Sequence, residues 1–166
     1  MKKIDIKQLK ENPISLFDDE WCLITAGNQE SYNTMTASWG AMGELWNKEV
    51  CFIFIRPQRY TFEFVEREDY FTISFLGAEN KKVHAVCGKY SGRDHDKAKE
   101  TGLIPMEIDG SVSFEQSRIV LVCRKLYAQD IDPRGMIDSS IDPACYPGKD
   151  YHRMYVGEIV SCYVRD

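Results

Sequence analysis

The sequence predicts a single mainly β domain, an antiparallel barrel carrying short helices, over residues 1–166. Three observations lead there. About six or seven runs of strand length and strand composition follow one another along the chain, mostly as neighbours. Nine Tyr, eight Phe and three Trp supply the aromatic side chains that suit a pleated, half-buried surface. Strands and helices do not alternate, and no glycine fingerprint follows a first strand, so a doubly wound parallel sheet fits poorly.

Taken in order, residues 1–20 read as a short amphipathic lead-in broken at Asn12-Pro13. Trp21 to Ala26 is a compact strand, and Gly27-Asn28 is turn chemistry. Tyr32 to Trp39 alternates, with Asn33, Met35, Ala37 and Trp39 on one face and Thr34, Thr36 and Ser38 on the other; a hairpin is expected. Ala41 to Glu49 reads as a loop, and Val50 to Ile55 as a strand covered on both faces. Pro57 is placed to open a helix through Tyr60, Phe64 and Val65. Tyr70 to Leu76 returns to strand. Glu79 to Cys87 is helical, stopped at Gly88, and a second short helix is capped by Asp94 and closed by Gly102. Short strands are expected over Ile104 to Phe114, and long ones over Ile119 to Ile131 and Tyr151 to Val164. The segment Pro133 to Asp150, rich in proline and glycine, reads as a loop with a turn of helix.

Composition narrows the function. A net charge of −5 argues against a broad nucleic-acid surface while leaving room for a local anion site. The N-terminal lysines lack an apolar run behind them, so the chain reads as mature and cytoplasmic. Of six cysteines, Cys22, Cys51, Cys123 and Cys162 lie in apolar strand-like runs and read as small core residues. There is no C-x-x-C pair, and the three histidines are far apart, so no metal site is expected.

The residues that could carry chemistry fall into two groups. NTMTASWG (Asn33 to Gly40) lines up donors and acceptors along one strand, a pattern suited to the edge of a planar heterocycle; an ordinary solvent-facing strand would also use Thr and Ser. RPQRYT (Arg56 to Thr61) puts two arginines and two hydroxyls at a helix entrance, where a phosphate would be well held. The alternative pairs those arginines with Glu63, Glu66 and Glu68 on the surface. KYSGRD (Lys89 to Asp94) offers a second cationic turn. Of the histidines, His152 stands nearest a ligand, while His84 and His95 read as structural or solvated. Trp39 and Trp46 suit packing or an interface, and stacking on a bound ring is the sharper reading. No acid/base pair, Ser-His-Asp arrangement or activated cysteine stands out.

Four separated segments resemble the flavin reductase-like family: NTMTASWG, GELWNKEVCFIFIRPQRYTFEF (Gly43 to Phe64), CGKYSGRDHDK (Cys87 to Lys97) and HRMYVGEI (His152 to Ile159). The resemblance runs from about Ser15 to the C-terminus and implies a split β-barrel of the FMN-binding type. It implies a flavin lying along Asn33, Met35, Thr36, Ser38 and Trp39, with its phosphate at Arg56, Arg59, Tyr60 and Thr61. Lys89, Ser91 and Arg93 would stand near that same end, with His152 arriving from the closing strand. It further implies a homodimer and an NAD(P)H-dependent oxidoreductase serving free flavin, a small molecule or a redox protein. The chemistry would then reside in the flavin and not in any catalytic side chain. A flavoredoxin-like carrier and a barrel that binds without redox chemistry are the alternatives.

One expectation follows directly. The Arg56/Arg59 turn suits a terminal phosphate monoester carrying about two negative charges, so FMN should bind in preference to FAD. Calorimetric titration with each flavin checks this; equal affinities would refute it.

Overall fold

The computed structural model describes residues 1–165. Its strands are β1 (Lys2–Ile4), β2 (Cys22–Asn28), β3 (Ser31–Ala37), β4 (Gly40–Leu45), β5 (Lys48–Ile55), β6 (Tyr70–Phe75), β7 (Pro105–Ile108), β8 (Ser111–Phe114), β9 (Ile119–Asp130) and β10 (Arg153–Val164). Its helices are α1 (Pro13–Ser15), α2 (Tyr60–Arg67), α3 (Lys81–Lys89), α4 (Lys97–Thr101) and α5 (Ile141–Cys145). The main sheet is antiparallel and runs β3-β2-β6-β9-β10-β5-β4, with β1 added to the far half of β10. The split antiparallel barrel is therefore the observed architecture.

The barrel curls around one apolar cluster. Ile24, Ile53, Ile55, Phe71, Ile73, Phe75, Leu121 and Tyr155 alternate inward from five strands, and Phe64 and Val65 of α2 close one end. Phe17, from the turn before β2, packs edge-on to Phe75 at 5.5 Å and fills the space beside Gly40. Outside the barrel, β7-β8, α3 and α4 cover the backs of β2 and β6. Leu23, Leu76, Cys87, Leu103 and Phe114 form a second cluster there. Both faces of β2 and β6 are therefore buried, whereas β5, expected to be covered on both faces, leaves Phe52 and Phe54 half-buried on its outer one. Thr72 and Ser74 are satisfied within that layer by the Val112 carbonyl (2.6 Å) and Ser113 (2.9 Å).

The two 12-residue strands bend to serve several partners. Register shifts in β10 against β9 fall at Val156/Gly157 and Ile159/Ser161. Such bulges bend and twist a strand, and β10 accordingly pairs with β5 in its first half and β1 in its second.

Several boundaries differ from the sequence reading. The expected loop over Ala41 to Glu49 is a hairpin, β4 to β5, because Trp46 and Asn47 take φ of 56° and 57° and close a two-residue turn. Pro57 lies in a turn, with the Arg59 amide on the Arg56 carbonyl (3.0 Å), and the helix begins only at Tyr60. Gly88 does not stop α3 but lies within it, and α4 is capped by Asp96 in place of Asp94 (3.1 Å to the Lys99 amide). The lead-in includes strand β1, paired with β10. The cysteines expected in the core are buried free thiols, and burial raises all four of their pKa values. No helix among the described residues is long and apolar enough to cross a membrane.

A Cβ on Gly157 would stand 2.6 Å from the Phe71 ring and 2.9 Å from Cys123 Cβ, whereas one on Gly43 meets nothing within 4 Å. Gly157→Ala should therefore destabilise the fold by about 1–3 kcal/mol, as overpacked cores do, with Gly43→Ala close to wild type. Denaturant unfolding of the two variants measures the difference.

Candidate functional site

A cleft runs along β3, at the end of the sheet order where no further strand pairs with it. It consists of two adjoining cavities, 270 Å³ and 480 Å³, that share Met35, Arg56 and Arg59. Thr36, Ser38, Trp39, Phe54 and His152 line the smaller. Asn33, Tyr60, Thr61, Ser91, Arg93 and Lys97 are among those lining the larger, with Asp150 and Gln58 at its rim.

Charge is sorted along the cleft. Arg56, Arg59, Arg93 and Lys97 gather in and around the larger cavity, while the smaller ends in aromatic rings. Local chain geometry builds the cationic end. The Arg56–Arg59 turn follows directly from buried β5 and feeds α2. Arg59 donates to the Gly88 carbonyl of α3 (2.6 Å), and Thr61 accepts from the Asn33 side chain (2.6 Å), tying that turn to β3. The 90–93 loop lies so close to β3 that a Cβ on Gly92 would collide with the Asn33 carboxamide. A larger residue at Gly92 would therefore have to displace the Asn33 side chain. Arg93 stacks over Tyr60 at 4.6 Å and pairs with Glu63.

Lys97 is 5% exposed, and its ammonium donates to the carbonyls of Thr34 and Cys87. It pairs with no carboxylate among the described residues. Burial chiefly, and Arg59 further, push its pKa down. A buried cation held only by carbonyls is costly unless an anion joins it.

The other wall is a strap formed by residues 131–152, which contains α5. Arg56 fastens it: the guanidinium pairs with Asp150, donates to the Cys145 carbonyl (2.9 Å) and stacks over Tyr146 at 5.1 Å. Gln58 adds a bond to Asp150 (2.7 Å), and Arg56 first, then Gln58, lower the Asp150 pKa. Next to this fastening, His152 meets the Tyr146 hydroxyl (2.9 Å) and lies 5.0 Å from the Trp39 ring. Burial, with Arg56 and Arg59, lowers the His152 pKa to about 4.

Twelve of the thirteen site residues picked from sequence line the cleft: Asn33, Met35, Thr36, Ser38, Trp39, Arg56, Arg59, Tyr60, Thr61, Ser91, Arg93 and His152. Lys89 does not; it is exposed, its ammonium over the Tyr90 ring at 5.2 Å. The arginines also depart from the surface-pair alternative, since Arg56 pairs with Asp150. Lys97, Phe54 and Asp150 were missed. Lys97 lies in the CGKYSGRDHDK segment, but only folding of α4 onto β3 separates it from the other lysines there. Trp46 is remote from the cleft, on the β4-β5 turn beside Tyr127 (6.0 Å). His84 is buried behind β3, where Thr36 donates to its carbonyl (2.8 Å).

A split antiparallel barrel with a long cleft, cationic at one end and aromatic at the other, defines a class of proteins suited to an elongated ligand with an anionic tail and a flat head. The chain belongs to the flavin reductase like domain family, whose pattern matches residues 15–166. Its fold is similar to an FMN-binding domain of a flavin reductases-like enzyme from Shewanella baltica OS155 (TM-score 0.70, 16% identity, covering 98% of this chain and 76% of that one). It is also similar to flavoredoxin from Methanosarcina acetivorans (TM-score 0.69, 19% identity, 100% and 77% covered). A third similar structure is a Streptomyces globisporus C-1027 NADH:FAD oxidoreductase in complex with NAD and FAD fragments (0.66, 14%, 89% and 75%). No curated protein sequence matches the chain.

Asp150→Asn removes the charge that fastens the strap to Arg56. Amides of residues 141–150 should then exchange with solvent several-fold faster, while those of β9 are unchanged. Lowering the pH acts in the same direction. A carboxylate with a depressed folded pKa stabilises above its unfolded pKa, and that contribution fades as pH falls through the folded one. Hydrogen exchange of wild type and variant at neutral and acid pH checks both statements.

Proposed function

We propose that this protein binds FMN and acts as an oxidoreductase, passing reducing equivalents from NAD(P)H through the flavin to free flavin or another acceptor. The observation that carries the reading is the sorted cleft, with Lys97 and Arg93 at one end, Trp39 and His152 at the other, and Arg56 and Arg59 between them. Family membership and the FMN-binding and NADH-linked relatives support it.

The residues fit the group. A phosphate monoester would neutralise the buried Lys97 and accept from Arg59, with Ser91 and Thr61 hydroxyls alongside. Asn33, Thr36 and Ser38 would hold the linking chain and ring edge, and Trp39 would flank the ring. Bound FMN would supply the two-electron chemistry, for which the cleft holds no side chain of its own. The protein's part is orientation and shielding: Phe54, Met35 and Trp39 line the aromatic end, and the strap forms its side. Lys89 has no place in this site, and Lys97 takes the role expected of it.

The protein is further proposed to work as a homodimer. Trp39 is 45% and Trp46 55% exposed, apolar area that a second copy would cover.

Arg59→Ala and Arg56→Ala should each weaken FMN binding several-fold more than Arg67→Ala. A charge-assisted contact is worth about 1.5–3 kcal/mol and an exposed pair under about 1 kcal/mol. Flavin fluorescence titration measures the difference, and equal affinities would refute the phosphate assignment. Steady-state NAD(P)H oxidation by the FMN-loaded protein tests turnover. Retention of FMN without oxidation would mark a carrier, and a colourless protein that binds no flavin would overturn the reading. Light scattering on the loaded protein gives the oligomeric state, for which a dimer is expected.

A further inference from the structure

His152 is the one titratable side chain at the aromatic end of the cleft other than Arg56 and Arg59. Its two ring nitrogens are in different situations. Nδ1 lies 2.9 Å from the Tyr146 hydroxyl, whereas Nε2 has no hydrogen-bond partner among the described residues. Tyr146 is 2% exposed; the His152 backbone N–H also acts on its hydroxyl oxygen, and the His152 ring nitrogen is the acceptor left for its O–H. A buried phenol O–H that can reach one acceptor will use it, since leaving it unmade forfeits the desolvation cost of the group. The phenol therefore donates to Nδ1. That leaves the ring proton of a neutral imidazole on Nε2.

The surroundings agree. Arg56, at the end of β5, and Arg59, in the turn before α2, both oppose a positive charge on His152, and burial opposes it more; only Asp150 of the strap favours it. Protonated His152 would also present an N–H to the phenol and force the buried hydroxyl to turn away. The phenol itself is clamped: its ring lies under Arg56 (5.1 Å), and it packs against Tyr151 (5.0 Å), whose hydroxyl is held by Asp142 (2.8 Å).

We propose that Tyr146 is a positioning residue: it fixes His152 as the Nε2–H tautomer, so that the aromatic end of the cleft offers one uncharged hydrogen-bond donor to a carbonyl oxygen of the molecule seated there. This rests on the flavin-binding reading only for the identity of that molecule. The carbonyl belongs either to the flavin ring or to the carboxamide of a nicotinamide donor, and an uncharged donor suits both.

The tautomer can be read in the protein without any ligand. Long-range proton–nitrogen NMR of 15N-histidine-labelled protein at pH 7 should show His152 Nδ1 as an unprotonated acceptor and Nε2 as protonated, with titration only near pH 4. Tyr146→Phe keeps the ring against Arg56 and removes only the hydroxyl. In it the His152 nitrogen shifts should move toward the averaged values of an exchanging imidazole, and its titration midpoint should rise. A wild-type spectrum with Nδ1 protonated, or one unchanged in Tyr146→Phe, would overturn the proposal. If Tyr146→Phe does not fold, the wild-type spectrum decides alone.

Titrations of His152→Phe then distinguish the two carbonyls. A weakened FMN affinity points to the flavin, and a raised KM for NAD(P)H with unchanged FMN affinity points to the nicotinamide. Neither change would overturn the donor role. Failure of wild-type protein to bind FMN at all would instead sink the flavin reading and leave the tautomer result standing.

Discussion

The free edge of β3 is the constraint around which the site is organised. The sheet order ends at β4 on one side and at β3 on the other, and it is along β3 that the cleft runs. An unpaired edge leaves backbone groups that something else must satisfy. Here side chains do so at Thr34, whose carbonyl accepts from Lys97 and Asn33, while the Thr36 hydroxyl donates to the His84 carbonyl and ties the strand to α3. The resulting groove has hydrogen-bonding groups along its floor and helices along its side. A site thus arises where the barrel fails to close.

Two anchors keep that groove open and shaped. Arg59 fastens the turn before α2 to the carbonyl of Gly88, and Arg56 fastens the strap to the end of β5. The two residues lie three positions apart, on opposite arms of one turn, so a single stretch of backbone sets the spacing of both walls. This dual role holds the cationic end together through bonds within the protein itself. The arginines are held by carbonyls and one carboxylate, and a phosphate would be added to an existing framework.

Burial then divides the labour among the ionisable groups. Lys97 and His152 are both disfavoured as cations, yet the outcomes differ. Lysine begins far above neutrality, and burial lowers it from there. Histidine begins near neutrality, and a shift to about 4 leaves it an uncharged donor at physiological pH. One cleft therefore presents a charged end and a neutral end with the same two arginines between them.

The sequence alone determined the architecture and most of the cleft. Alternation and apolar runs located β2, β3, β5, β6, β9 and β10, because burial of one or both faces leaves a direct mark on residue order. NTMTASWG and RPQRYT are short contiguous segments rich in hydrogen-bonding groups, and their resemblance to the family pattern, not their residue types alone, marked them as a site. The β4-β5 hairpin was not legible, since its turn uses Trp46-Asn47, and nothing in those residue types announces a positive φ at tryptophan. Choosing Lys97 over Lys89 was equally out of reach. Both are lysines in one polar segment, and which of them is buried depends on how α4 packs against β3 across more than sixty residues of chain. The Arg56–Asp150 fastening and the Tyr146–His152 contact were settled by tertiary structure for the same reason. Such bonds are short in space and set by the path of the strap, which residue order does not record.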